Sequence, residues 1–332
     1  LNPESLHQVL ILMSDRGTPY GFRHMHGFGS HTFSMINAEN ERVWVKFHFK
    51  TKQQIKNFTN DEAVKMKGEN PDFAQEDLVN AIENGDFPKW TMFIQVMSEE
   101  QAEEFRWNPV DVTKVWFQNE FPLIEVGEME LNEIPNNYFA HVEQSTFSPS
   151  NLINGISFSP DKMLQGRLFS YPDAHRYRVG VNSHQLEVNR CPFAVNNYQR
   201  DGFMADSSGY KDAPNYYPNS FDEIKPDSAY KNFEYDLDNT TVAHFNRNEN
   251  DDDHYTQPGL LYTKAMNPQD RENLVSNIIK SMKGISGSKK DEIINRQLCH
   301  FFRANIELGM KIAMGLQVNI DMNMMNHSKS PE

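Results

Sequence analysis

The stretch from Arg167 to Arg178, Arg-Leu-Phe-Ser-Tyr-Pro-Asp-Ala-His-Arg-Tyr-Arg, constrains this chain more than any other segment. If the chain is helical from Asp161 onward, Met163, Arg167, Tyr171 and Arg178 fall on one face. A positive charge one turn from a phenol favours the phenolate form. A phenolate in an apolar pocket is a ligand for ferric iron, and Arg178 is then placed to pair with a haem propionate.

The same stretch has a plainer interpretation. It could be an amphipathic core helix in which Tyr171 only packs and the arginines face solvent. Helix spacing alone favours this plainer interpretation. The other motifs described below favour a haem site.

Composition and charge narrow the possible functions. The 332 residues carry a formal net charge of −14, which argues against nucleic acid or an anionic membrane as a partner. The sequence has no apolar run long enough to span a bilayer. The two cysteines, Cys191 and Cys299, are too few for a disulfide framework and are typical of a reducing cytoplasm. The chain begins with Leu1 and has no targeting signal, and we expect it to be a fragment or an incomplete gene product.

The first hundred residues alternate strand and helix patterns. An apolar strand is predicted over residues 6–14. A hairpin is predicted next, from His31–Asn37 and Arg42–Phe49, because apolar and polar residues alternate along its second strand. Helices are predicted over Asn60–Lys67 and Gln75–Asn84, the second ending at Gly85, and a fourth strand over Trp90–Met97.

The remainder divides into an irregular part and a helical part. Residues 105–259 are rich in Asn, Pro, Asp and Tyr, and so long an irregular run is expected to wrap around other subunits. Amphipathic helices are predicted over Pro268–Ser281, Lys289–Arg303 and Glu307–Leu316, followed by a frayed tail over 318–332. The spacing of His184, His244 and His254 does not fit a metal site, and residues 250–253 lack the ligand pattern of a calcium loop.

Arg-Leu-Phe-Ser-Tyr-Pro-Asp-Ala-His at 167–175 resembles the proximal haem-ligand signature of the monofunctional haem catalases. The similarity runs from Pro3 to about Gly259 and more loosely to Leu316, and is strongest to the small-subunit bacterial class. Its main blocks are Pro3–Val9, Arg23–Met25, Gly29–Phe33, Ser159–Arg167, Asn197–Gly202 and Asn215–Ser220.

The resemblance implies an α+β fold. We expect the second half of an antiparallel β-barrel over 1–104, and a wrapping segment over 105–260 that carries the proximal helix at 159–178. A C-terminal helical domain is expected over 261–317. The complete protein is expected to be a cytoplasmic homotetramer that converts hydrogen peroxide to water and oxygen.

The resemblance also implies the haem-site residues. Tyr171 would be the fifth iron ligand of a haem b, Arg167 would hydrogen-bond its phenolate, and His31 and Asp161 would join Arg167 in a buried charge relay, with Arg178 at a propionate. A distal histidine and asparagine complete the family's site. Both are expected upstream of Leu1, so His7, His24, His26 and His31 receive no distal role and no catalytic residue is assigned in this chain.

A second site is implied for NADPH. The positions that bind it in some family members are here His7, Ser14, Arg16, His26, Phe28, Lys50, Trp116 and Gln118. Arg16 and Lys50 suit an adenosine 2′-phosphate, which needs cationic donors. His26 and Gln118 depart from the family's pattern and weaken the expected recognition of the nicotinamide. Surface cations on a barrel rim are the alternative interpretation.

Two alternatives to a working catalase stay open. One is an inactive haem-binding remnant, because a barrel without half of its strands exposes two edges and an unfilled core. The other is a barrel-fold relative that shares the tyrosine ligand and acts on organic hydroperoxides.

Overall fold

The computed structural model of the protein describes residues 1–193, 202–203, 205, 214–221 and 253–318. The sequence block at 197–202, His244, the acidic turn at 250–253 and the tail at 318–332 lie wholly or mostly outside those residues. Among the described residues, no helix is both long enough and apolar enough to cross a membrane.

The N-terminal part of the fold is a curled antiparallel sheet. Its strands are β1 (Gly27–Phe28), β2 (Phe33–Ile36), β3 (Arg42–Thr51), β4 (Lys89–Met97), β5 (Ile124–Glu130) and β6 (Ile156–Ser157). The order is β5-β4-β3-β2-β6, and β1 pairs with β3. The predicted hairpin is confirmed, with Phe33 opposite Val45. The fourth predicted strand is also confirmed, as β4.

The two faces of β3 differ because side chains alternate along a strand. Val45 is fully buried on one face. Trp44 and Lys46 are buried on the other face, where Trp44 packs with Met97, Trp116 and Phe121. The second face therefore buries a lysine beside an aromatic cluster.

The helices precede, separate and follow these strands along the chain. They are α1 (Leu6–Met13), α2 (Asn60–Glu69), α3 (Phe73–Glu83), α4 (Glu99–Glu104), α5 (Lys162–Arg178), α6 (Thr256–Leu260), α7 (Pro268–Met282), α8 (Lys290–Ala304) and α9 (Ile306–Leu316). The predictions for α2, α3, α7, α8 and α9 are confirmed to within two residues at each end. Gly85 follows α3 with φ +76°, the left-handed conformation expected after a helix C-terminus.

The strand predicted over residues 6–14 is wrong, because this segment is helix α1. Leu6 and Leu10, four residues apart, are buried in one cluster with Leu274, Leu298 and Ile312 of the C-terminal helices. A helix places two such residues on one face, and packing against distant helices decides the conformation of a short apolar run.

Residues 105–259 contain more regular structure than the sequence predicted. β5 extends the sheet beyond β4, with a register shift between Met92 and Phe93, and β6 pairs with β2. The fold class is confirmed as a curled antiparallel half-barrel with C-terminal helices. The division of the chain at residues 104, 260 and 317 stays a proposal.

Candidate functional site

Helix α5, which carries most of the predicted haem-site residues, begins at a buried carboxylate. Asp161 caps it, and its Oδ1 accepts hydrogen bonds from the backbone N–H groups of Met163 at 2.9 Å and Leu164 at 3.1 Å. Its Oδ2 lies 2.6 Å from Nδ1 of His31, and both side chains are about 3–4% exposed. Asp161 thus satisfies the helix terminus and orients the imidazole at the same time.

Arg167 and Tyr171 lie one turn apart on α5, as the spacing predicts. Arg167 Nη2 donates a hydrogen bond to the Tyr171 hydroxyl at 2.7 Å, and the guanidinium carbon lies 4.9 Å from the ring centroid. A phenol oxygen that accepts a bond from a guanidinium is suited to carry negative charge. The donor set therefore fits a ferric iron ligand.

The expected relay is present as two separate pairs. Among the described residues, no hydrogen bond or ion pair joins Arg167 to His31 or Asp161. Arg167 and Tyr171 are half-buried, whereas His31 and Asp161 are buried. The first turns of α5 connect the two pairs through the backbone.

Arg178 at the end of α5 contacts the main chain. Its Nη1 donates to the Glu143 carbonyl at 2.8 Å, and its Nη2 donates to the Ser145 carbonyl at 2.7 Å. These bonds tie the end of α5 to the preceding segment. A role at a propionate therefore requires that Arg178 release or share these carbonyls.

Sequence reasoning missed three charged side chains that the fold buries wholly or in part, Lys46, Lys114 and Asp111. Lys46 on β3 and Lys114 are about 5% and 4% exposed. Lys46 Nζ donates to the Lys114 carbonyl at 3.0 Å, and Lys114 Nζ lies 3.4 Å from Asp111. Burial lowers the pKa of Lys46 to about 8, opposed by the negative charges of Asp161 and Asp111. Trp44, Lys46 and His48 alternate with Val45 and Phe47 along β3. This alternation was the sign in the sequence that Lys46 shares a face with Trp44.

The residues expected at a second site form a cationic group. Burial and the charges of Lys114 and Arg16 lower the pKa of His7 to about 4. Burial and the charges of Lys50 and Arg16 lower the pKa of His26 to about 4. Burial, then Arg16, also lowers the pKa of Lys50. Arg16 therefore acts electrostatically on all three side chains, and a positive charge at this place suits an anionic ligand.

The other predicted members of this site have different positions. Ser14 is buried and bonds to backbone, accepting from Arg16 N and donating to the Ile11 carbonyl. Phe28 is 46% exposed, with the Lys50 ammonium 4.8 Å from its ring centroid. Trp116 is buried, and Gln118 is exposed. Phe28 and Lys50 are thus available to a ligand, whereas Ser14 shapes the turn that carries Arg16.

His48 was not predicted as a site residue, yet it lies beside this group. Its Nε2 is 2.9 Å from Gln95 Oε1, and its buried Nδ1 lacks a hydrogen-bond partner among the described residues. Burial lowers its pKa to about 4. Its ring also contacts Phe28 edge-on.

The described residues contain no group of three or more His, Cys, Asp and Glu side chains that could hold a metal ion. Tyr171 with Arg167 instead offers a phenol oxygen that is held by a guanidinium.

Comparisons with known proteins match most of the chain to one group of proteins. The family model described as Catalase matches residues 1–223, and one described as Catalase-related immune-responsive matches residues 248–316. The catalase of the Onchocerca volvulus endobacterium is 52% identical over 320 residues, and catalase A of Pseudomonas putida is 52% identical over 321 residues. Each match covers 96% of this chain and 65% of the relative, so the chain spans about two thirds of their length.

Solved structures give the same assignment. A structure described as a bacterial catalase matches with a TM-score of 0.86 and 42% identity, over 95% of this chain and 64% of that one. Catalase A from Saccharomyces cerevisiae matches with a TM-score of 0.85 and 37% identity, over 94% of this chain and 64% of that one.

Proposed function

This chain belongs to the catalase family, and we propose that it forms the proximal side of a haem b site at which hydrogen peroxide is converted to water and oxygen. One observation carries the proposal: the 2.7 Å hydrogen bond from Arg167 to the Tyr171 hydroxyl. The capping of α5 by the buried Asp161 supports it, because this contact fixes the start of the helix that presents both residues.

The residues of this chain have distinct roles in the proposal. Haem iron supplies the redox chemistry of peroxide when it is bound. Tyr171 supplies the anionic oxygen ligand, and Arg167 stabilises its phenolate. Asp161 and His31 hold the first turn of α5 in place, and Arg178 anchors the last turn and offers a cation to a propionate.

The complete site needs acid–base groups on the opposite side of the haem. General acid–base assistance is typically worth about 10²–10⁴ in rate. No residue of this chain is assigned that role, and the expectation that a distal histidine and asparagine lie outside it stays a prediction. We propose a cytoplasmic homotetramer for the complete protein, supported by large aromatic side chains such as Phe147, Phe169 and Tyr177 that are about 80% exposed here.

Haem titration of two tyrosine variants tests the ligand assignment. Tyr171→Phe removes the phenol oxygen, so we expect haem affinity to fall at least tenfold and the tyrosinate charge-transfer bands to disappear. Tyr177→Phe is the matched control, because Tyr177 is on the same helix and 78% exposed. Equal affinity and spectra for both variants would refute Tyr171 as the ligand.

The same preparations separate the alternatives. A haem complex that releases no oxygen from hydrogen peroxide would favour the inactive remnant. A complex that reacts with organic hydroperoxides and not with hydrogen peroxide would favour the barrel-fold relative.

A second function, binding of NADPH, is favoured by the cationic group around Arg16. His7, His26 and Lys50 all have lowered pKa values there, because burial and neighbouring positive charges disfavour their protonation. A bound phosphate would relieve this repulsion. We therefore propose that Arg16 and Lys50 hold an adenosine 2′-phosphate, with His7 beside them.

A further inference from the structure

The turn that carries Arg16 is held by a helix from the far end of the chain. It is a 3₁₀ turn of Asp15, Arg16 and Gly17 that follows helix α1. Arg16 is exposed, whereas Asp15 is half-buried. Asn273 of α7 donates a hydrogen bond from Nδ2 to Asp15 Oδ2 at 2.5 Å, although the two residues are 258 positions apart. The position of this turn therefore depends on a tertiary contact.

A second asparagine of α7 holds the end of α1. Asn277 lies one helical turn after Asn273 and on the same face. Its Nδ2 donates to the Met13 carbonyl at 2.9 Å. The last four carbonyls of a helix have no partner within the helix, and this bond satisfies one of them. The two asparagines thus attach both α1 and the turn after it to one face of α7.

The Asp15 carboxylate depends on Asn273 for its hydrogen bonding. Gln269 Nε2 donates to Asn273 Oδ1 at 2.9 Å, so the Asn273 nitrogen faces Asp15. Among the described residues this is the one hydrogen bond to the Asp15 side chain, and Asp15 Oδ1 is buried without a partner there. A half-buried carboxylate that loses its donor is costly, so it is expected to move toward water or toward a cation.

The backbone of the turn packs closely on the end of α1. Gly17 N donates to the Ser14 carbonyl at 2.9 Å, and Thr18 N donates to the Asp15 carbonyl at 3.0 Å. A Cβ at position 17 would lie 2.0 Å from the Leu12 carbonyl oxygen, so only glycine fits there. A movement of Asp15 would therefore disturb the whole turn.

We propose that Asn273 is a positioning residue of the second site, which holds the Asp15 carboxylate on α7 and so keeps the Arg16 guanidinium available to a phosphate. The role toward phosphate rests on the proposed binding of NADPH, whereas the anchoring of the turn does not. Once released from Asn273, the Asp15 carboxylate is the neighbour of Arg16 in the chain and competes with a bound phosphate for its guanidinium. The C-terminal helices thereby support an anion site in the N-terminal part of the fold.

Nucleotide binding to the full chain tests the role toward phosphate. Isothermal titration calorimetry compares adenosine 2′,5′-bisphosphate with adenosine 5′-monophosphate. Asn273→Leu removes the amide donor at similar volume. We expect its affinity for the bisphosphate to fall about tenfold and its affinity for the monophosphate to stay the same. Asn80→Leu is the matched control, because Asn80 is exposed on α3.

A second substitution separates competition by Asp15 from a general loss of structure. Asp15→Asn removes the competing charge. In the Asn273→Leu background it should restore the bisphosphate affinity to within about twofold of that of Asp15→Asn alone. A bisphosphate affinity that Asn273→Leu leaves unchanged, an equal loss for both nucleotides, or a loss that Asp15→Asn does not restore would overturn the role toward phosphate.

Hydrogen exchange of the nucleotide-free chain tests the anchoring by itself. Exchange is followed by mass spectrometry of peptides that cover residues 12–18. Asn273→Leu should speed the exchange of these amide protons about tenfold, and Asn80→Leu should leave it unchanged. Faster exchange together with a wild type that binds both nucleotides equally would support the anchoring and refute the NADPH site. Unchanged exchange in Asn273→Leu would overturn the anchoring, whichever nucleotide binds.

Discussion

At the residue scale, the protein keeps several histidines neutral chiefly by burying them, and nearby cations add to the effect. His7, His26 and His48 each have a pKa lowered to about 4, with burial as the largest cause in every case. A histidine that is neutral in the folded chain and charged in the unfolded chain makes stability depend on pH. This dependence is measurable without any ligand.

His7 gives the clearest prediction of this kind. Its folded pKa of about 4 lies below the unfolded value of 6.5, so the unfolded chain binds more protons between these values. The stability that depends on neutral His7 is complete above pH 6.5 and is lost as pH falls toward 4. We expect His7 to account for about 2 kcal/mol of the loss in unfolding free energy between pH 7 and pH 5.

Urea denaturation at pH 7 and pH 5 measures this loss in unfolding free energy. His7→Gln should reduce the difference between the two pH values by about 2 kcal/mol. His184→Gln, which replaces an exposed histidine, should leave it unchanged. An undiminished difference in His7→Gln would show that the ring is not held neutral by its surroundings.

At the element scale, α1 is stabilised by the helices at the other end of the chain. Leu10 is fully buried in the C-terminal core, whereas Leu12 on the same helix is 59% exposed. Residues two apart lie on opposite sides of a helix and on the same side of a strand. The pair Leu10 and Leu12 therefore distinguishes the two conformations.

Alanine substitutions at these positions test the packing of α1. Leu10→Ala should lower the unfolding free energy by about 2–5 kcal/mol, because it leaves a cavity in a closed core. Leu12→Ala should change it by less than about 0.5 kcal/mol. Chemical denaturation of both variants is the measurement, and similar losses would indicate that α1 does not pack as described.

Some elements of the fold were predictable from the sequence, and others were not. The hairpin β2–β3 and helices α7 to α9 were predictable because their apolar periodicity is long and regular. The Arg167–Tyr171 contact was predictable because it lies within one helical turn. The conformation of α1 was not, because its apolar run is short and its packing partners lie more than 240 residues away.

Two other features needed the folded structure. The sequence of β5 alternates Ile and Val with Glu, but Gly127 interrupts the pattern and most of the strand is exposed. Lys46 resembles any polar residue on the outer face of a strand until the segment carrying Lys114 and Trp116 covers it. Its burial is a tertiary property that local pattern does not encode.

At the scale of the whole molecule, charge is distributed unevenly. The chain carries a formal net charge of −14, yet Arg16, Lys50 and Lys114 are close enough to lower the pKa of neighbouring histidines. Such a local excess of positive charge in an acidic protein directs anions to one place. The proposed NADPH site is that place.

Binding of adenosine 2′,5′-bisphosphate tests this site without the nicotinamide. Arg16→Gln should weaken binding at least tenfold, because it removes a charge-assisted contact to phosphate. Lys65→Gln is the control, because Lys65 is 74% exposed on α2. Isothermal titration calorimetry is the measurement, with adenosine 5′-monophosphate as the ligand that lacks the 2′-phosphate. Equal affinities for the two nucleotides, or for the two variants, would contradict the assignment.

Under the proposed function, Tyr171, held by Arg167, ligates haem iron. The most direct measurement is the absorption spectrum of the purified chain after reconstitution with haem, followed by oxygen release on adding peroxide. We predict a high-spin ferric tyrosinate spectrum that Tyr171→Phe abolishes, whatever the amount of oxygen released. No haem uptake, or a wild-type spectrum that Tyr171→Phe leaves unchanged, would contradict the claim.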